Sequence, residues 1–304
     1  MGSTEQLERM WTLVTGAGGF VGGHVTRHLF ECGIPVVALQ RTPRGIDGVP
    51  DEDGANFRRL IGDLTAPIAL DVPIENIVHL AARIKTANST SEAFEAGNVA
   101  TASGVVRLAK ATNSTRVIAL STISVYGRPA GATVLTEKTP ITETDAYGMS
   151  KHRAELTLKE LTDQAQVTTL RMPGILGRHA NPNLVVGMCE KAARNEAIRI
   201  TNPDALFNST VHVSDVCRLI ERLLVAQPAR GYNVVNVSSA KPLSIRALAE
   251  NIINGLGSAS KITVDAGGEP PCLIDAERLR DRFGYEAMSV SKAIALYASE
   301  YRPK

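Results

Sequence analysis

No stretch of this chain approaches the roughly 20 consecutive apolar residues that cross a bilayer, so no membrane span is expected. The N-terminal MGSTEQLERMW is polar and lacks the charged-then-apolar build of a secretory signal, so a cytoplasmic location is expected. Cysteine is scarce: Cys32, Cys189, Cys217 and Cys272 stand apart with no C-x-x-C pair. That spacing offers neither a zinc motif nor a disulfide framework, so no metal and a reducing compartment are expected. Neither sign of charge dominates: the net charge is +2, and no basic run with interleaved aromatics occurs. Nothing there recruits nucleic acid or an anionic membrane. Internal repeats and low-complexity segments are also absent.

What remains is an ordinary globular composition, 44% hydrophobic over 304 residues. That length accommodates one large α/β domain or two unequal ones with a substantial core. Apolar, β-branched runs predict strands at Trp11–Thr15, Pro35–Gln40, Phe57–Ile61, Ile77–Leu80, Val117–Ser121 and Val167–Leu170. Helical patterns fall between them at Gly19–Cys32, Ala93–Thr112 and Ala146–Gln164. This alternation predicts an α/β fold, a doubly wound parallel sheet covered on both faces. After about residue 173 the rhythm changes, with RMPGILGRHANPN, a helix at Leu184–Arg194, strands at Val211–Val213 and Tyr232–Val237, and a helix at Ser244–Asn254 capped by Ser244. Residues 1–174, with parts of 208–240, are read as one larger α/β domain, and 175–304 as a smaller mixed α/β region.

The first motif is TGAGGFVG, Thr15 to Gly22. Gly16, Gly19 and Gly22 recur every third residue between a predicted strand and a predicted helix. Such glycines permit a tight turn, close approach of a pyrophosphate, and close packing of helix on sheet. The N–H groups opening the helix then meet the phosphates. A plain strand-to-helix turn is the simpler alternative. About 20 residues beyond, an acidic residue would hold a ribose 2′-hydroxyl and select NAD. ALQRTPR puts Gln40 and Arg41 there, with Arg44 nearby. No carboxylate repels a 2′-phosphate, so NADP is preferred and NAD is the alternative.

Tyr147 and Lys151 in YGMSK share a helix face. A neighbouring ammonium stabilises tyrosinate and is expected to lower its pKa, which suits proton exchange with an alcohol or sugar oxygen. STISVYG, Ser121 to Gly127, ends a predicted strand, where ligands of doubly wound sheets gather. A hydroxyl from Thr122 or Ser124 could bond the same substrate oxygen, or merely cap the loop.

TGAGGFVG, Gly62-Asp63-Leu64, HLAA (His79–Ala82), Asn98, STISVYG, YGMSK and LRMPGILG (Leu170–Gly177) occur in one order. In this the chain resembles the extended short-chain dehydrogenase/reductases, the NAD-dependent epimerase/dehydratase family, over roughly residues 10–240 and weakly to Phe283-Gly284-Tyr285. The resemblance implies a Rossmann-type fold and roles at the matching positions. Tyr147 is the implied acid/base. Lys151 lowers its pKa and binds the nicotinamide ribose, and Thr122 is the catalytic hydroxyl. Asp63 and Leu64 contact adenine, Ala81 and Ala82 line the cofactor channel, Asn98 supports the site, and Pro173 packs by the nicotinamide. Phe20, Val21, Leu80 and Ser121 complete the implied cofactor set. Substrate contacts are expected from Thr122, Ser124, Tyr147, Gly174, Arg178 and Asn208. A homodimer built on Ala93–Thr112 and Ala146–Gln164 is implied by the same resemblance.

The departures narrow the reaction. Family dehydratases carry Asp-Glu directly after the catalytic threonine, but here Ile123 and Ser124 follow, so dehydration is not expected. Many sugar-nucleotide members grip the diphosphate with an arginine. Asn208 takes its place in Asn208-Ser-Thr-Val-His212-Val, and no arginine lies between Lys261 and Glu277. Arg178, Arg194 or Arg199 are the candidate substitutes. His212 is read as structural and Asp215 as a helix cap. Gly174 stands where galactose epimerases place a substrate-binding asparagine. The first reading is NADP-dependent reduction of a 4-keto group on a nucleoside-diphosphate deoxysugar. The alternatives are a nucleotide-sugar 4-epimerase with tightly bound NAD, a reductase of a non-sugar ketone, and a non-catalytic dinucleotide sensor.

Overall fold

In a computed structural model, which describes residues 10–86, 89–129, 133–142, 144–227 and 229–301, the strand rhythm of the N-terminal half becomes one seven-stranded sheet. Residues 1–9, most of the N-terminal stretch read above, lie outside the described residues. The strands are β1 (Trp11–Thr15), β2 (Val36–Gln40), β3 (Phe57–Ile61), β4 (Ile74–His79), β5 (Arg116–Thr122), then Gln166–Met172 and Gly231–Asn236. In space β1 lies between β2 and β4, with β3 outside β2, and β5, Gln166–Met172 and Gly231–Asn236 following β4. The pairs β1–β2, β1–β4, β2–β3 and β4–β5 are parallel. The strand order therefore reverses at β1 and β4, where doubly wound sheets open a crevice at the carboxyl ends.

Side chains alternate across the sheet. Leu13, Val37, Leu39, Ile77, Val117 and Ala119 join a core with helix residues Val105, Ala109, Ala154 and Leu158. Each fully buried leucine or valine there contributes roughly 1.5–3 kcal/mol of transfer free energy. Helix α1 (Phe20–Glu31) packs on β1 and β2.

The pattern predicted one helix over Ala93–Thr112, but the structure divides it. A short α2 (Ser91–Phe94) passes through a wide π turn, Glu95–Val99, into α3 (Ala100–Thr112). Asn98 lies in that turn, and its amide is drawn to the Arg83 backbone and to Ser150. The predicted Ala146–Gln164 helix is α4 (Ala146–Leu158) followed by a 3₁₀ turn, Lys159–Leu161. Gln164 lies beyond, where its side-chain amide donates to the Ala109 and Ser114 carbonyls.

Contacts divide the chain into two units. The described residues of Met1–Val125, Thr144–Leu170 and Ile220–Val234 form the first, and those of Tyr126–Glu143, Arg171–Leu219 and Val235–Lys304 the second. The second unit holds α5 (Leu184–Ala193), capped by Asn183, and further helices Ile245–Gly255 and Val290–Glu300, capped by Ser244 and Ser289. Helix α6 (Val213–Val225) begins in the second unit and ends in the first. The predicted strand at Val211–Val213 is Thr210–His212, and Val213 already opens α6. Asp215 lies in the first turn of α6, where its carboxylate binds Arg218 (2.7 Å), the Tyr285 hydroxyl (3.0 Å) and the Met288 N–H (3.1 Å). That is cross-linking rather than the helix cap the sequence suggested. Among the described residues no helix is long and apolar enough to cross a membrane.

Gly104 shows how tightly α3 is seated. A Cβ there would lie 2.0 Å from the Leu64 carbonyl oxygen. Gly104→Ala gains roughly 1 kcal/mol of helix propensity, but relieving a backbone clash costs about 1–3 kcal/mol or more. Net destabilisation is expected, read as a lower urea midpoint with an unchanged m-value.

Candidate active site

The site begins where β1 ends. Gly16 has φ +70°, and a Cβ on it would lie 2.7 Å from the Ala81 backbone nitrogen. A Cβ on Gly22 would lie 2.0 Å from the Gly16 carbonyl oxygen. Both positions therefore require glycine, one for its left-handed turn and both for close approach. Gly19 is the N-cap of α1 and supplies no side-chain cap, so the first N–H groups of the helix are left for an anion. Phe20, Val21 and Gly22 form that first turn.

Thr15 ties β1 to β4. Its hydroxyl oxygen accepts from the Leu80 and Ala81 N–H groups (3.2 Å each) and lies 2.9 Å from His79 Nδ1. With its lone pairs taken, the hydroxyl donates its proton to His79. Burial, then the Lys151 charge, pushes the His79 pKa down to about 3, so the imidazole is neutral. Neither Thr15 nor His79 was singled out for a role from sequence, because their meeting depends on the β1–β4 register.

A cavity of about 660 Å³ opens beside this junction. Nine of the expected cofactor residues line it: Gly16, Gly19, Gln40, Arg41, Asp63, Leu64, Leu80, Ala81 and Ala82. Arg44, read from the sequence as lying nearby, lines it as well, as do Thr65, Arg83 and Thr101, which were not expected there. At the end of β2, Gln40 is buried; its Oε1 accepts from the Arg44 N–H (3.0 Å), and its Nε2 has no partner. Arg41 is exposed. The N–H and hydroxyl of Thr65 (both 2.8 Å), then the Arg41 charge, hold the Asp63 carboxyl below its ordinary pKa. A glycine cradle that a Cβ would fill and an unpaired buried amide suit a dinucleotide.

Asn98, Ser121, Thr122, Tyr147 and Lys151 belong to the same unit but not to that cavity's lining. Asp145 caps α4 by accepting from the Gly148 N–H (2.8 Å), which places Tyr147 in the first turn and Lys151 in the second. A Cβ on Gly148 would lie 2.5 Å from the Ser124 carbonyl oxygen, so glycine lets α4 sit against the loop after β5. Thr122 hydrogen-bonds to Tyr147, and its hydroxyl also accepts from the Ser124 N–H (3.1 Å). Ser150 donates to the Tyr147 carbonyl (2.8 Å) and accepts from Asn98 (2.9 Å). The Phe94 ring stacks obliquely on Tyr147 at 5.5 Å. Ser121 Oγ is buried without a partner.

The electrostatics differ from the expectation that a cation depresses the Tyr147 pKa. Burial, then the Asp145 charge, holds the phenol above its ordinary value, against the Thr122 hydrogen bond. Lys151 is buried, and its Nζ donates to the Leu120 carbonyl (2.7 Å). Burial pushes its pKa down to about 8, partly opposed by Glu155.

The remaining expected residues belong to the second unit. Pro173 is buried and Arg178 is exposed. Gly174 lies in a short strand beside Asn183. Asn208 is buried, donating to the Ile274 carbonyl (2.8 Å) and accepting from the Ile274 N–H (2.9 Å), so its amide serves the backbone. His212 is buried between Ser214 (2.9 Å) and Glu300 (3.2 Å).

With this geometry, the sequence pattern of the NAD dependent epimerase/dehydratase family matches residues 12–238. The chain belongs to that family. A dTDP-4-dehydro-6-deoxy-D-allose reductase from Streptomyces bikiniensis is 27% identical, over 95% of this chain and 95% of its own. A UDP-glucose 4-epimerase from Streptomyces lividans is 24% identical, with 95% of each chain covered. The Bordetella bronchiseptica enzyme WbmG, solved with NAD and UDP, superimposes with a TM-score of 0.79 at 21% identity, covering 96% of this chain and 95% of that one. The protein is thus an enzyme of the NAD-dependent epimerase/dehydratase class with a Rossmann-like sheet, and its relatives include both reductases and 4-epimerases of sugar nucleotides.

The buried Lys151 makes a pH-dependent prediction. Its folded-state pKa, about 8, lies below the ordinary 10.5. Between these values the unfolded chain binds more protons, so its burial penalty is full below pH 8 and lifts as pH rises to 10.5. Relative to wild type, Lys151→Met is expected to be most favoured below pH 8. That advantage should shrink steadily at higher pH, as measured by urea unfolding of both proteins across the range.

Proposed function

We propose that this enzyme reduces the 4-keto group of a nucleoside-diphosphate deoxysugar, with NADP preferred. The observation that carries this reading is the carboxylate-free end of β2, where the unpaired Gln40 amide lines the cavity with Arg41 and Arg44. The Tyr147 phenol, its pKa raised chiefly by desolvation, is neutral. A neutral phenol is the form that gives a proton to a carbonyl oxygen as that carbon is reduced. Bound nicotinamide cofactor supplies the hydride.

The chain's own residues take the other roles. The glycine loop and the α1 N–H groups hold the cofactor diphosphate. The unpaired Gln40 amide, with Arg41 and Arg44, binds a 2′-phosphate, and the carboxylate-free end of β2 does not repel it. Asp63 and Leu64 meet adenine, Leu80 to Ala82 line the channel, and Lys151 holds the nicotinamide ribose. Thr122 and Ser124 orient the substrate oxygen and Tyr147 protonates it. Ile123 and Ser124 follow Thr122 in place of the Asp-Glu pair, so no second acid/base pair supports elimination of water. In this reading the first unit binds the dinucleotide and the second supplies substrate contacts from Gly174 and Arg178. Asn208, its amide committed to Ile274, contributes shape rather than charge. Cytoplasmic homodimers complete the proposal.

A 4-epimerase with retained NAD is the second reading, favoured by the relative from Streptomyces lividans. Fluorescence titration with NADPH and NADH, after assaying denatured protein for carried-over NAD, separates the two. The reductase reading requires tighter NADPH binding and no retained NAD. Arg41→Ala should then weaken NADPH about tenfold or more while sparing NADH, and retained NAD would support the epimerase instead. In either reaction Tyr147→Phe should lower turnover by roughly 10²–10⁴ while the cofactor still binds. Unchanged turnover would remove Tyr147 from the chemistry.

A further inference from the structure

Far along α1 from its phosphate-facing end, three potential metal ligands meet. His28 lies in the last turn of α1, and Cys32 is the residue that caps it. Four residues apart on a helical path, their side chains share a face. Glu221, on the part of α6 within the same unit, reaches that face from a distant stretch of chain. His28 Nε2 lies 2.7 Å from Glu221 Oε2 and 3.8 Å from Cys32 Sγ, and all three ligand atoms lie within 4.8 Å of one another. His28 and Glu221 are half-buried and Cys32 is exposed, so two ligands are held and the third stays accessible.

We propose that His28, Cys32 and Glu221 form a divalent zinc site that clips the end of α1 to α6. Tetrahedral zinc, with N and O ligands near 2.1 Å and sulfur near 2.3 Å, separates N from O by roughly 3.4 Å and N from S by roughly 3.6 Å. The existing N–S spacing already meets this, and the N–O pair has to open by well under 1 Å. A mixed imidazole, thiolate and carboxylate set suits zinc and not magnesium or calcium, which take oxygen ligands. The surroundings also favour a cation. Glu31, next to Cys32 in the chain, adds a further negative charge, which Arg27 at 3.8 Å partly counters. The fourth position faces solvent and takes water. On binding, zinc displaces the Cys32 thiol proton to solvent and accepts a lone pair from each ligand, with no change of oxidation state.

The test uses the full-length protein after chelation, titrated with cobalt(II) and followed by absorption. One cobalt per chain is expected, with a thiolate-to-cobalt charge-transfer band that zinc abolishes by displacement. Cys32→Ser should remove the band, and His28→Ala and Glu221→Gln should weaken zinc binding about tenfold or more. Cys272→Ser, at a half-exposed cysteine in the other unit, should leave both unchanged. Zinc should also raise the melting temperature of the wild type but not of Cys32→Ser. Circular dichroism confirms that each variant is folded, and Cys32→Ala repeats the measurement should the serine variant misfold. The proposal fails if no charge-transfer band appears, if the band survives loss of Cys32, or if Cys272→Ser removes it.

Discussion

The ends of β1 and β4 approach so closely that no side chain fits between them at Gly16, and the rest of the site depends on that closeness. It lets the Thr15 hydroxyl collect the Leu80 and Ala81 N–H groups and donate to His79. The Ala81 N–H at the strand end is thereby satisfied, and the Leu80 N–H gains a second acceptor beside the Thr15 carbonyl (3.3 Å). The turn at Gly16 then aims the opening N–H groups of α1 at the crevice where the strand order reverses. A larger residue at Gly16 would part the two strands and disturb the Thr15–His79 contact and the wall formed by Ala81.

Around this junction, burial sets the protonation states. His79 is kept neutral, Lys151 is brought within reach of neutrality, and Tyr147 keeps its proton. The cause is common to all three: removal from water penalises whichever form is charged. Lys151 sheds part of that penalty by donating to the Leu120 carbonyl. Tyr147 is poised by two neighbours of opposite effect, Asp145 and Thr122. Asp145 is present because α4 needs a cap, so the residue that starts the helix also biases the phenol.

The family was legible in the sequence because its motifs are local. TGAGGFVG, STISVYG and YGMSK each lie within one strand-to-loop or helix segment, so fixed local spacing carries the signal, and short-range sterics dictate glycine at Gly16 and Gly22. The strands of the sheet were legible for the same reason, as buried apolar runs with period-two or continuous patterning. The break in the Ala93–Thr112 helix was not, because Asn98 leaves the regular ladder for partners at Arg83 and Ser150, far off in sequence. Asp215 was misread as a cap because its partners Tyr285 and Met288 are some seventy residues away.

The sequence by itself determined the doubly wound sheet, the family and the identity of the residues offered for chemistry. These follow from patterning and turn sterics that act over a few residues. The tertiary structure alone decided which of those residues are charged, since desolvation depends on everything packed around a group. It also decided that Asn208 spends its amide on a backbone strand, and that an isolated cysteine comes within reach of His28 and Glu221. Contacts across 193 positions of chain, such as that of His28 with Glu221, leave no local pattern, because the packing of separate helices brings them about.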